Sequence, residues 1–210
     1  MALGKEKIVA CATEICEQSG FEAISMRSIA KTLGVTPMAL YKHVKTKDEL
    51  LNLVACEYLG LYRRKRNNHK KNPQQKVFEA FCEFKNLMLE KPILAHIIVR
   101  QPLDGEAAYR VGGELIGVLH ECGFSEQKSA EVFVSLTSYT LGFVSVVFSR
   151  ADTTNPASLE SRKRQLKEHP YLLSLADFLS RLHSDHYFET GLKNMIASYE
   201  KELSAEVRNS

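Results

Sequence analysis

Apolar residues recur at spacings of three and four almost everywhere along this chain, and no stretch alternates apolar with polar residues between hairpin-forming dipeptides. That periodicity leaves one fold class, all-α. The 210 residues are enough for one large or two small domains, and the 44% that are apolar can fill a conventional core.

Helix ends are marked by residues with a physical reason to stop or start a helix. The first helix is predicted from Lys5 to Ser19, with Ile8, Ala12 and Ile15 on its inner face. Gly20 stops it, and Phe21 then plugs the core. Ser25 caps a short helix through Leu33, Gly34 supplies a sharp bend, and Thr36 with Pro37 starts a helix of barely two turns to about Val44. Thr46 and Glu49 form a capping box in which Glu49 is expected to reach back to the Thr46 amide. A long helix follows with Leu50, Leu53, Val54 and Leu61 inward. Residues 63–73 break the pattern. Helices are then expected over about 74–91, 92–100, 106–121, 125–150, 170–182 and 187–206, with the polar stretch 151–169 read as a long loop.

Net charge sharpens this division. The total is only +3, but residues 1–71 carry 13 Lys+Arg against 7 Asp+Glu, and residues 72–210 carry 15 against 18. A head of net +6 therefore precedes a body of net −3. We divide the chain into a helix-turn-helix domain (1–47), a connecting helix with a basic linker (48–72) and a larger helical domain (73–210). The basic run Arg63–Lys71 reads as a solvated helix end more often than as a DNA contact, and its charge is expected to help steer DNA.

Other function classes fall away. The longest nearly unbroken apolar run, Leu141 to Phe148, is short of the ~20 residues of a membrane span, and the first residues lack a signal-peptide pattern. A cytoplasmic protein with no membrane partner is expected. Cys11, Cys16, Cys56, Cys82 and Cys122 form no C-x-x-C pair and read as small reduced hydrophobes. No nucleophile elbow, zinc-helix motif or phosphate loop is present, and His120, Glu121 and Cys122 point to different faces of one helix. The reading is a non-enzyme with no cofactor and no metal.

Two short helices joined by Thr32-Leu33-Gly34-Val35 match a helix-turn-helix. The second must be short and exposed to enter a major groove, while Leu40 and Val44 anchor its other face. Thr36, Pro37, Met38, Ala39, Tyr41, Lys42 and His43 are then free for DNA. Hydroxyls and methyls can meet base edges, Tyr41 can reach phosphate, and Lys47 adds a cation beside helix N-terminal amides.

The stretch from Ser25 to Leu51, with Gly123-Phe124-Ser125, Thr140-Leu141-Gly142 and Phe188-Glu189-Thr190-Gly191-Leu192, resembles the tetracycline repressor (TetR) family and covers most of the chain. The resemblance implies a homodimeric repressor of double-stranded palindromic DNA, released by a small-molecule effector bound in the C-terminal domain. It also implies that Arg27 touches phosphate or a base, that residues 36–43 form the recognition helix, and that Lys47 binds phosphate.

Within residues 125–150, Ser135, Ser138, Gly142, Ser145 and Ser149 form a stripe of small residues on a helix that is apolar around most of its circumference. Such a helix needs cover on nearly every side. Together with Phe188, Gly191, Leu192, Met195 and Tyr199 of the last helix, we expect it to pair with its symmetry mates in a four-helix bundle. Effector contacts are expected among Phe84, Met88, His96, Arg100, Gln101, Tyr109, Thr137, Thr140 and Phe143, apolar walls with a few polar groups. The resemblance points to a magnesium-chelated drug met by an acid late in this helix, but Val144-Ser145-Val146-Val147 offers no carboxylate, so the effector is read as mostly apolar or aromatic. The alternative is an effector-independent regulator or activator of the same fold.

Overall fold

Capping residues set the helix boundaries of the first sixty residues. A computed structural model describes residues 3–62, 72–149, 156–181 and 184–209, and every regular element among them is helical. Helix α1 (Lys5–Ser19) ends at Gly20, and a 3-10 turn, Phe21–Ala23, leads to α2 (Met26–Leu33). The Ser25 hydroxyl accepts the Ser28 amide at 3.0 Å, and the Ser28 hydroxyl accepts the Ser25 amide at 3.0 Å. This reciprocal pair is worth about 1 kcal/mol of helix stability. Gly34 sits at φ 66°, ψ 31°, a left-handed conformation that favours glycine and turns the chain into α3 (Pro37–Tyr41). Helix α4 (Lys47–Tyr62) follows.

Two compact units result, one of residues 1–70 and 86–115, the other of residues 71–85 and 116–210. Helices α5 (Pro73–Glu90) and α7 (Glu106–Glu121) contribute residues to both. In the first unit Ile8, Ala12, Ile24, Ile29, Leu40, Val44, Leu50 and Val54 are wholly buried, and α4 packs on α6 (Pro92–Arg100), whose Leu94 and Ile97 are wholly buried. Leu61, expected inward, is exposed. The buried stripe of α4 steps by four through Leu50, Val54, Tyr58 and Tyr62, which leaves Leu61 on the outside. Lys91 pairs with Glu17 and lies 5.3 Å from the Tyr58 ring centre, and this ammonium holds the Glu17 carboxyl below its usual range.

The second unit is built on α8 (Glu126–Ser149) packed against α11 (Asp185–Asn209). Phe188 and Leu192 are wholly buried in it. The Tyr139 ring stacks on Phe188 at 5.3 Å, Phe143 lies 5.0 Å away, and the ammonium of buried Lys85 sits 5.2 Å over the Phe188 ring while paired with Asp185. Burial pushes the Cys82 and Cys122 thiols up to about 11, so both stay protonated and unreactive near neutral pH.

The stretch read as a loop is in part a helix, α9 (Pro156–Gln165), followed by a 3-10 turn, Leu166–Glu168, and α10 (Pro170–Arg181). Leu159 is the one large apolar residue in the sequence of α9, so this helix carries no apolar period to read. An ion pair, Lys163 to Asp177 of α10 at 2.8 Å, ties it down instead.

Candidate DNA interface

Thr36 starts α3 by accepting the Ala39 amide at 3.3 Å, and Pro37 occupies the first helical position, where a missing N–H costs nothing. Leu40 and Val44 are wholly buried and fix one face of the segment. The other face is open. Met38 is 71% exposed and Tyr41 45% exposed, Thr36, Pro37 and Lys42 are exposed, and Ala39 and His43 are half-buried. The helix ends after five residues in a tight turn, where the amides of His43 and Val44 both donate to the Leu40 carbonyl at 2.9 Å. Of the expected contact residues, Thr36, Pro37, Met38, Tyr41 and Lys42 of this segment are exposed, as is Arg27 of α2.

The next turn departs from the expected capping box in one bond. Thr46 accepts the Glu49 amide at 3.0 Å as anticipated, but the Glu49 carboxylate takes the Lys45 amide at 2.7 Å rather than that of Thr46, and takes the Lys5 ammonium at 3.1 Å. Lys47, exposed at the start of α4, has its ammonium 5.6 Å from the ring centre of Phe21. The run Arg63–Lys71 lies outside the described residues.

The family model described as "Bacterial regulatory proteins, tetR family" matches residues 8–54, and the one described as "Tetracyclin repressor-like, C-terminal domain" matches residues 69–203. The chain belongs to the TetR family. It is thus a DNA-binding transcriptional regulator by family. Tetracycline repressor protein class D of Escherichia coli is 23% identical over 212 residues, covering 97% of this chain and 92% of that one. An HTH-type transcriptional regulator of Saccharopolyspora erythraea is 25% identical over 171 residues, 80% of this chain and 72% of its own. Apo ActR from Streptomyces coelicolor shares the fold with a TM-score of 0.84 at 24% identity, covering 98% of this chain and 99% of that one. ActR in complex with actinorhodin gives 0.77 at 23% identity, with 98% and 99% covered.

Across the region matched by the TetR C-terminal model, the expected effector contacts have varied surroundings. Met88, His96, Arg100, Gln101 and Tyr109 belong to the first compact unit, and Phe84, Thr137, Thr140 and Phe143 to the second. His96 stacks on Phe21 with ring centres 5.3 Å apart, and the Arg100 guanidinium lies 5.2 Å from the same ring. Gln101 donates to the Asp48 carbonyl at 3.0 Å, and Tyr109 donates to the Asp104 carboxylate. Thr140 spends its hydroxyl on the Leu136 carbonyl at 2.7 Å within its own helix. Thr137 has a buried hydroxyl with no hydrogen-bond partner among the described residues. Phe84 and Met88 are buried core. From Leu136 to Ser149, α8 carries no carboxylate.

The expected dimer residues divide sharply. On α8, Ser138, Gly142 and Ser145 are exposed, and Ser135 is half-buried. On α11, Phe188 and Leu192 are wholly buried within the chain's own unit and cannot meet a partner. Gly191 does permit close approach, but the group that approaches is Tyr139. A Cβ at this position would collide with the tyrosine oxygen, which donates to the Phe188 carbonyl at 3.1 Å. Met195 and Tyr199 are half-buried, and the open face of α11 carries Asn194, Ala197 and Ser198. Val134, which the sequence pattern assigns to a flank of α8 with Leu141, Val144 and Phe148 and not to the interface, is 60% exposed one turn before Ser138 on the open stripe. Its spacing could have revealed it. Nothing in the local sequence could have revealed Asn52, whose side-chain amide pairs with the backbone of Asp104 in both directions, donating to its carbonyl and accepting its N–H.

Proposed function

We propose that the chain is a transcriptional repressor that binds a palindromic operator as a homodimer and releases it when a small, mostly apolar or aromatic ligand binds. The observation that carries the DNA half is the open face of α3, where Thr36, Pro37, Met38, Tyr41 and Lys42 stand exposed over a wholly buried Leu40. Arg27 and Lys47 flank it as phosphate contacts, with Ala39 and His43 beside them.

Dimerisation is supported by α8. Its span Glu126–Phe148 is long and apolar enough, by length and composition, to cross a membrane, yet only 22% of its most apolar window is buried in the chain. A second copy laid along Val134, Ser138, Gly142 and Ser145 would cover it, with the open face of α11 alongside. Two recognition helices held ~34–36 Å apart would then read successive major grooves. A ligand need only favour another spacing to release DNA. The complex of ActR with actinorhodin supports ligand response, and in the second unit Phe143 and the unpaired Thr137 hydroxyl are the contacts we favour. We place the protein in the cytoplasm and assign it no catalysis.

Selection of bound duplexes from a random library, followed by a compound screen for thermal shift and DNA release, tests the reading. A palindromic consensus and a releasing compound are the expected results. Equal affinity for random duplexes would overturn it, and an operator with no responsive compound would favour the effector-independent alternative. Sedimentation at micromolar concentration should show a dimer; a monomer-sized species would sink that part.

A further inference from the structure

A single ring, Phe21, gathers side chains from two other helices of the first compact unit. From α4 comes Lys47, its ammonium 5.6 Å from the ring centre. From α6 come His96, stacked at an interplanar angle of 15° and 5.3 Å between centres, and Arg100, 5.2 Å from the ring centre. The ring itself is buried while its three neighbours are exposed. Phe21 is therefore fixed by the core, and the groups that touch it are the ones able to move.

A cation over an aromatic face is attracted by the ring quadrupole, so Phe21 restrains the flexible Lys47 stem close to the start of α4. Arg100 carries the same charge and lies 5.2 Å from the centre of the same ring, and its position is set by α6. A displacement of α6 therefore changes how Lys47 is held without any contact between α6 and DNA. We infer that Phe21 is a positioning residue through which α6 sets the availability of Lys47 for DNA phosphate. This rests on the reading of Lys47 as a phosphate contact.

A double-mutant cycle separates the two ideas. The probe is a random-sequence 40-base-pair duplex, bound at several salt concentrations, because a phosphate contact acts on any sequence. Lys47→Gln should weaken binding and lower the salt slope by about one unit. Phe21→Leu should weaken binding about three- to tenfold, the range of a cation–ring contact, and should add nothing once Lys47 is Gln. Phe21→Tyr, which keeps the ring, should restore wild-type binding. Arg100→Gln should shift the affinity in the wild-type background and not in the Lys47→Gln background. A merely structural loss at Phe21 would instead multiply with Lys47→Gln, and that result would overturn the inference while leaving the phosphate contact intact. If Lys47→Gln changed neither affinity nor salt slope, both would fall. Should Phe21→Leu fail to fold, the exposed Arg100 and the conservative Phe21→Tyr still decide the matter. Equal Arg100→Gln effects in both backgrounds would remove α6 from the scheme.

Discussion

Glu49 accepts the backbone N–H of Lys45 at 2.7 Å, fastening the turn between α3 and α4 from its downstream side. That amide first, and then the Lys5 ammonium, hold the Glu49 carboxyl below the usual carboxylate range. A depressed folded-state value contributes stability that is present above the unfolded-state value of ~4.3 and is lost as pH falls through the folded one. Glu49→Gln keeps an acceptor but removes the charge. Its thermal deficit relative to wild type should be present near neutral pH and shrink below about pH 4. A deficit that stays constant into acid would show that charge contributes nothing at this turn.

Tyr41, open on the recognition face, should behave as a DNA contact and not as core. Tyr41→Ala should cost an operator, once selected, on the order of 1–3 kcal/mol of affinity while leaving Tm nearly unchanged. Leu40→Ala, one residue earlier and wholly buried, should lose about 2–5 kcal/mol of stability. Urea titration and fluorescence anisotropy on the two variants separate these roles. A Tyr41→Ala protein that bound normally would remove Tyr41 from the interface.

Gly191 is required by Tyr139. In an open helix, Gly→Ala gains about 1 kcal/mol. Here the new methyl would strike a ring that is stacked on Phe188 and hydrogen-bonded to its carbonyl, and overpacking of this kind costs about 1–3 kcal/mol. Gly191→Ala should therefore destabilise, and Tyr139→Leu in the same chain should recover part of the loss. If the alanine variant melted above wild type, the close approach would be refuted.

Val134 and Phe188 should fail in different ways. Val134→Glu places a charge on the open stripe of α8 and should yield folded monomers in sedimentation. Phe188→Ala empties a wholly buried site and should lose about 3–5 kcal/mol of stability. A Val134→Glu protein that remained dimeric would move the interface off this stripe.

The helix-turn-helix was legible because its boundaries depend on local chemistry. Ser25, Gly34, Thr36 and Pro37 act within four residues of themselves, and the structure places each at the boundary read from it. Periodicity failed where it had nothing to act on, as in α9, whose tether is an ion pair to Asp177. It also cannot say which body covers an apolar stripe. Phe188 and Ser138 both read as interface, yet one is buried by its own chain and the other is open. In the sequence His96 and Arg100 stand among apolar residues, the pattern expected of effector contacts. Their meeting with Phe21, some seventy-five residues upstream, is a tertiary event that no local pattern records.

Helices α5 and α7 cross between the two compact units, and this bears on how such proteins can be recombined. A chimera joined near residue 71, where the charge of the sequence divides, would give the DNA-reading head a foreign α6. The buried Leu94 and Ile97, the Lys91–Glu17 pair and the groups on Phe21 would all be replaced at once. The compact unit that holds the head is residues 1–70 together with 86–115. A graft that alters ligand response while preserving the head would be confined to residues 71–85 and 116–210, and so would need three junctions where one looks sufficient.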